Sequence, residues 1–274
     1  MFRKLARVTL TFGALTVLAV ASLGCDQRPA DPPMSHAKSQ ATPVPEPLVT
    51  ALARLVSTHQ ARVAAPRARV YPLTTDGRDR FLVHPDGADT LVQAASTNTG
   101  GNTRLVWVSP TGEISVDQQV CATWDAWSGL AQPGLALRVR GDGTRVRAIT
   151  VTGNIVWGAR FGFNVHQWDT AHRIGNGVPA VYAGGADLSR TFGPANGLVA
   201  LPWHICARVR GRVLDFKVWP SSRPEPTWGD ARYGRRIELS ATAVYPGRAG
   251  WYAGHLRPGD KLLISDQVTR NLAH

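Results

Sequence analysis

The chain is short of several things, and each shortage excludes something. Of its 31 basic residues only Lys4, Lys38, Lys217 and Lys261 are lysine, and its 19 acidic residues include only four glutamates, Glu46, Glu113, Glu225 and Glu238. It has three cysteines, and none is spaced with histidines as a structural zinc site requires, so no metal is expected. There is no Gly-x-Ser-x-Gly elbow, no phosphate-binding loop and no dinucleotide fingerprint, so no cofactor is expected either. The longest uncharged apolar run, Val8 to Leu23, is about 16 residues, short of the roughly 20 that a spanning helix needs.

That run is informative all the same. It follows Arg3, Lys4 and Arg7 and ends in Ser22-Leu23-Gly24-Cys25, the layout of a secretory signal with a cysteine where bacterial lipoproteins are cleaved and acylated. Residues 1–24 are thus expected to be a signal peptide, with Cys25 lipidated (palmitate) and the chain anchored to the cell membrane. The lipobox is imperfect, because Leu23 stands one place late, and Ala19-Val20-Ala21 also fits ordinary signal peptidase, which would release a secreted protein from Ser22. Removing Arg3, Lys4 and Arg7 leaves 28 basic residues against 19 acidic, a net charge of +9. That charge suits an anionic envelope polymer or lipid headgroup. Nucleic acid is excluded as a partner for an exported chain. The arginines are scattered, however, as compositional bias alone would leave them.

Residues 25–47 carry Pro29, Pro32, Pro33, Pro43, Pro45 and Pro47 and almost no large apolar side chain, so they read as a disordered tether. Residues 48–65 place Leu48, Leu52, Leu55, Val56, His59 and Val63 on one side of a helix. Pro47 sits where a first turn tolerates it and Pro66 ends the segment. This short amphipathic helix is expected to dock on the domain that follows, residues 66–274.

Period two dominates that domain. Leu135, Leu137 and Val139 alternate with Arg138 and Arg140; Ile205, Ala207 and Val209 share a face, Gly211 turns, and Leu214, Phe216 and Val218 share a face on the return. Strands are also expected over 103–108, 114–124, 145–151, 160–168, 236–244 and 261–265. Turns are expected at Pro110-Thr-Gly, Gly141-Asp-Gly, Gly184-Gly185 and Pro258-Gly-Asp. Arg140-Gly141-Asp142 belongs to such a strand turn and is not a recognition tripeptide. Short strands without intervening helices imply an all-β antiparallel sandwich or jelly roll.

The segment 201–228, LPWHICARVRGRVLDFKVWPSSRPEPTW, resembles the late strand pair of concanavalin A-like (laminin-G-like) jelly rolls: a Trp, a strand, a Gly hairpin, a strand ending in Val-Trp and a Pro-Glu-Pro turn before another Trp. Val120–Trp127 and the strand near 262–266 extend the resemblance to roughly residues 70–270. It implies a superfamily that includes lectins, glycan hydrolases and structural modules. The glucanases among them carry a Glu-x-Asp-x-x-Glu strand. None of the four glutamates here has such partners: Glu113 with Asp117 is the nearest pair, and Glu225 in the Pro-Glu-Pro turn is expected to satisfy backbone donors. No catalytic residue is assigned.

If Cys25 carries lipid, Cys121 and Cys206 remain as a pair. Each lies opposite the apolar face of its strand, so the two are expected either to form a disulfide or to stay as separate thiols. Sugars stack on aromatic rings, which makes Trp127, Trp157, Trp168 and Trp219 at strand ends or off the core face the candidate ligand contacts among nine tryptophans. His166, Asp169 and His172 form the best polar cluster, candidates for ligand contact or for an atypical hydrolase site. The reading is an envelope lipoprotein whose sandwich binds glycan or cell wall without catalysis. The alternatives are a structural or protein-interaction module of the envelope and, less favoured, a hydrolase.

Overall fold

The computed structural model describes residues 68–74, 80–86, 89–98, 103–129, 131–142, 144–154, 162–172, 179–193 and 199–272. The signal segment, the tether and the amphipathic segment 48–65 lie outside the described residues. The strands are β1 (Arg69–Thr74), β2 (Phe81–Asp86), β3 (Asp89–Ala94), β4 (Arg104–Val108), β5 (Ile114–Ser115), β6 (Gln118–Trp127), β7 (Gln132–Gly141), β8 (Val146–Asn154), β9 (Gly162–Asp169), β10 (Ala180–Asp187), β11 (Trp203–Arg210), β12 (Val213–Pro220), β13 (Gly234–Glu238), β14 (Gly247–Gly254) and β15 (Lys261–Asn271), with one helical turn, α1 (Ser189–Phe192). One sheet runs β1-β4-β14-β7-β8-β9-β10, with β5 also on β14 as its eighth strand; the other runs β13-β12-β11-β6-β15-β3-β2. Every described pairing is antiparallel. This is the all-β antiparallel sandwich that the strand pattern implies.

Alternation decides the core. Val120, Ala122 and Trp124 of β6, Ile205, Ala207 and Val209 of β11, and Leu214, Phe216 and Val218 of β12 meet Leu135, Leu137, Ile149, Val151, Phe163 and Val165 of the facing sheet. Aromatic contacts tie the layers: Trp124 stacks on Phe163 at 6.0 Å and Phe192 packs on Trp203 at 4.6 Å. The expected hairpin is β11–β12, with Gly211 at φ +51° in its turn.

Several expectations need correcting. The strand expected over 114–124 is broken into β5 and β6. The strand expected over 236–244 ends at Glu238, where a 3-10 turn, Ala241–Ala243, follows. Gly184-Gly185 is not a turn. It lies inside β10 beside a bulge. Glu225 pairs with Lys217 Nζ at 2.6 Å. The β7 alternation also fails. A bulge between Leu137 and Arg140, seen from both neighbouring strands, sends Val139 to the outer face and leaves Arg138 fully buried.

Arg138 is held in the left-handed region (φ +51°). Its Nε donates to Val116 O at 2.7 Å, Nη1 to Ala243 O at 2.6 Å and Nη2 to Gly211 O at 2.6 Å, with Asp117 Oδ1 at 3.7 Å. Asp117 Oδ1 in turn accepts from Gly211 N at 2.9 Å. One cation therefore joins β7 of one sheet to the β11–β12 turn and the β6 approach of the other.

Cys121 and Cys206 are joined, Cα to Cα 4.1 Å, directly across β6 and β11, at a sequence separation of 85. A disulfide is the state that an oxidising, extracytoplasmic compartment maintains. Among the described residues no helix is long and apolar enough to cross a membrane.

Two variants test this framework by urea unfolding. Arg138→Met strands three carbonyls and a carboxylate and is expected to cost about 3–5 kcal/mol. Replacing both cysteines by serine is expected to cost about 2–5 kcal/mol, and a loss below 1 kcal/mol in either case would contradict the role given to it.

Candidate functional site

The outer face of the eight-stranded sheet changes character from one side to the other. Toward β4, β14, β7 and β8 it carries a second apolar layer, with Val106, Val108, Ala136, Val139, Ala148, Trp168 and Tyr252 all buried. Toward its β10 edge it opens. Tyr182 is 59% exposed there. It stands opposite His166 of β9, which stands opposite Thr150 of β8. The Tyr182 ring meets His166 edge-on at 5.7 Å, and the His166 ring lies 6.0 Å from Trp168. Trp168 Nε1 donates to Thr150 Oγ1 at 2.8 Å.

Gly185 makes room for this arrangement. A Cβ there would lie 2.8 Å from the Tyr182 hydroxyl and 3.2 Å from Asn164 Oδ1, so the phenol and the carboxamide converge over a bare backbone. Tyr182 faces outward because β10 gains a residue between Tyr182 and Gly184 relative to β9. Burial, assisted by the charge of Arg104, pushes His166 down to about 4, so its imidazole is neutral at pH 5–8. The rim therefore offers an open aromatic face, a neutral imidazole and a carboxamide.

A second polar group occupies the outer face of the seven-stranded sheet. β6 bulges at Asp125, and β15 bulges between Ser265 and Val268, where Asp266 has φ +49°. Thr123 Oγ1 bridges His204 Nδ1 at 2.8 Å and Asp266 Oδ2 at 2.9 Å, and the His204 ring lies 5.3 Å from Trp219. Asp125 is raised to about 6 by burial and by the neighbouring charges of Asp89 and Asp266, against a bond from Ser265. Among the described residues no group of three or more ligating side chains is arranged to hold a metal ion.

The residues singled out from sequence fare unequally. Trp168 and Trp219 lie on outer faces but are buried, at 4% and 6% exposure, so neither is an open stacking platform. Trp127 turns inward after the Asp125 bulge and packs against Trp203 at 5.9 Å. Trp157 and Cys25 lie outside the described residues. His166 and Asp169 do not share a site. Asp169 accepts Arg145 Nε at 2.7 Å, is bonded also by Arg145 Nη2, and has His172 Nδ1 at 3.1 Å. The Arg145 bonds hold its carboxyl at about 2, so it is ionised at neutral pH and engaged by Arg145. Sequence reasoning missed Tyr182 and Asn164. The signal, an aromatic beside paired glycines, was absorbed by the turn expected at Gly184-Gly185. Asp125, Asp266 and His204 had no signal, because bulges bring them together.

No protein-family model matches the chain, and no curated protein matches it. Solved structures similar in architecture include the carbohydrate-binding module CBM66 from Bacillus subtilis, 7% identical over 74% of this chain and 95% of that one, TM-score 0.43. The exoplasmic/lumenal domain of VIP36, in a form bound to calcium and Man3GlcNAc, is 8% identical over 74% and 89%, TM-score 0.41. A protein with a galectin-like fold from Bacillus subtilis is 9% identical over 74% and 96%, TM-score 0.41. At these identities the likeness is one of architecture.

Asp125 yields a pH prediction. A carboxyl whose pKa rises from 3.8 to about 6 on folding adds stability that is complete below about pH 4 and is lost as pH rises through 6. The melting temperature of wild type relative to Asp125→Asn is therefore expected to fall between pH 4 and 7. Parallel profiles would refute the assignment.

Proposed function

We propose that the protein is an exported binding module of the cell envelope that takes a glycan at the β9–β10 rim of its eight-stranded sheet, without a catalytic step. One observation carries the reading: the exposed Tyr182 ring stands beside His166 and Asn164 over the glycine floor at Gly185. An aromatic face accepts the C–H side of a pyranose, while the carboxamide, the phenol and the imidazole serve its hydroxyls. Because His166 stays neutral over pH 5–8, the rim suits an uncharged saccharide, and affinity is constant across that range. An anionic polymer is less well served there.

The envelope setting rests on the N-terminal segment. Cys25 is the acylated residue in this reading, and residues 25–47 tether the domain to the membrane. Mass spectrometry of the mature N-terminus tests that half: a diacylglyceryl-modified Cys25 is expected, and a peptide starting at unmodified Ser22 would make the protein a secreted one.

Glycan-array binding tests the other half. Tyr182→Ala is expected to weaken binding about tenfold or more, the ~1.4 kcal/mol scale of a stacked aromatic contact, with the melting temperature unchanged. Wild type that retains no polysaccharide or peptidoglycan would end the reading.

A further inference from the structure

One side chain ties the β9–β10 rim to the far side of its own sheet. Arg104 opens β4, four strands from β9 in the order β4-β14-β7-β8-β9. Its row across the sheet runs through Gly254 and Gln132 and, two residues past the Gly134–Thr152 pair, through Asn154 to Gly162. Trp168 lies six residues along β9 from Gly162. On a flat sheet the two positions are about 19 Å apart across the strands and about 20 Å apart along them. The Arg104 guanidinium nevertheless stands 5.9 Å from the centre of the Trp168 ring. The outer face is therefore concave along this diagonal, and Arg104 closes across the hollow over the apolar layer. Tyr71 of β1 crosses the same way, with its ring 2.4 Å from where a Cβ on Gly141 of β7 would be.

Arg104 is itself held. Its Nη1 donates to Thr74 Oγ1 at 3.4 Å, its Nη2 stands 3.0 Å from His255 Nε2, and the guanidinium also bonds the Tyr252 side chain. His255 takes part from a left-handed backbone, φ +54°. Contacts continue from Trp168 to the rim: its ring lies 6.0 Å from His166, which meets Tyr182 at 5.7 Å. Resting on the glycan reading of that rim, we infer that Arg104 is its positioning residue: the guanidinium fixes the Trp168 ring and, through it, the His166 imidazole and the Tyr182 ring that meet the saccharide. The charge has a second effect at the same place. Burial first, and Arg104 after it, disfavour a proton on His166, which keeps an acceptor nitrogen for a sugar hydroxyl. Arg104 is the charged group acting on His166; Tyr182 of β10 meets its ring, and His255 and Tyr252 stand behind Arg104.

Nuclear magnetic resonance titration of the full mature chain tests this, with the His166 signals assigned by their loss in His166→Gln. Wild type is expected to titrate at about 4. In Arg104→Met the midpoint should rise by about half a unit or more, and in Arg104→Lys, which keeps the charge, it should stay closer to wild type. Glycan affinity in Arg104→Met should fall about fivefold at pH 7 and fall further between pH 7 and 5, where wild type is constant. If Arg104→Met does not fold, Arg104→Gln keeps a donor for Thr74 and His255 and carries the same test. An unchanged His166 midpoint overturns the inference. So does a glycan that wild type and Arg104→Met bind equally well at every pH. Wild type that binds no glycan ends the rim reading instead, and the two failures are told apart because the midpoint is read without ligand.

Discussion

A buried guanidinium holds one end of this sandwich together. Taking Arg138 out of water costs several kcal/mol, and a left-handed backbone at a non-glycine residue costs about 1–2 more. Both are repaid because each face of the ion is used: carbonyls from three separate segments accept its protons, and Asp117 balances its charge. Its own amide donates to Gln118 Oε1 at 2.8 Å, and Gln118 Nε2 donates on to Gly247 O at 2.6 Å. Gly247 must be a glycine, since a Cβ there would lie 2.4 Å from the Arg138 carbonyl carbon. The two sheets are thus locked by polar bonds at this end and by stacked aromatics through the middle.

The outer faces obey the same economy. On the seven-stranded sheet, Trp228 reaches back from the loop after β12 and lies between the Arg208 guanidinium at 4.3 Å and Lys217 Nζ at 4.5 Å. Lys217, though only 4% exposed, is satisfied by Glu225 and by Pro226 O at 2.7 Å. Asp215 takes Arg208 at 3.1 Å and Arg236 at 2.8 Å. Much of the arginine excess is therefore spent inside the fold, on carbonyls, carboxylates and aromatic rings. That weakens any argument from net charge alone to an anionic partner. At Arg138, which bonds three carbonyls, a lysine ammonium would not supply the same fork of donors.

What was legible in the sequence follows from this. The β11–β12 hairpin, the core alternation of β6 and the cysteine pair could be read because their strands keep period two without interruption from 203 to 220 and from 118 to 124. The signal segment and the proline tether are compositional and needed no fold. The site was much less legible. Trp168 and Trp219 do leave the core face as alternation requires, but a strand pattern does not say what lies on top of a residue. Asp169 looked available because the sequence does not show Arg145 reaching it from the preceding hairpin.

Bulges account for most of the remainder. A single extra residue reverses every later side chain of a strand. One in β7 buries Arg138 and exposes Val139 to the outer layer; one in β6 places Asp125 off the core face and swings Trp127 inward; one in β15 turns Asp266 toward Thr123; one in β10 stands Tyr182 opposite His166. A regular sheet converges polar side chains only between directly facing strands, as Arg208, Asp215 and Arg236 do across β11, β12 and β13. The groupings around Tyr182 and Asp266 depend instead on a broken register, and the break erases the periodic signal by which the position would be recognised. In a sandwich of this kind the residues where alternation fails are the first place to look for chemistry, and the neutral, open rim at β10 is the one such place among the described residues that pairs an exposed aromatic with hydrogen-bonding partners.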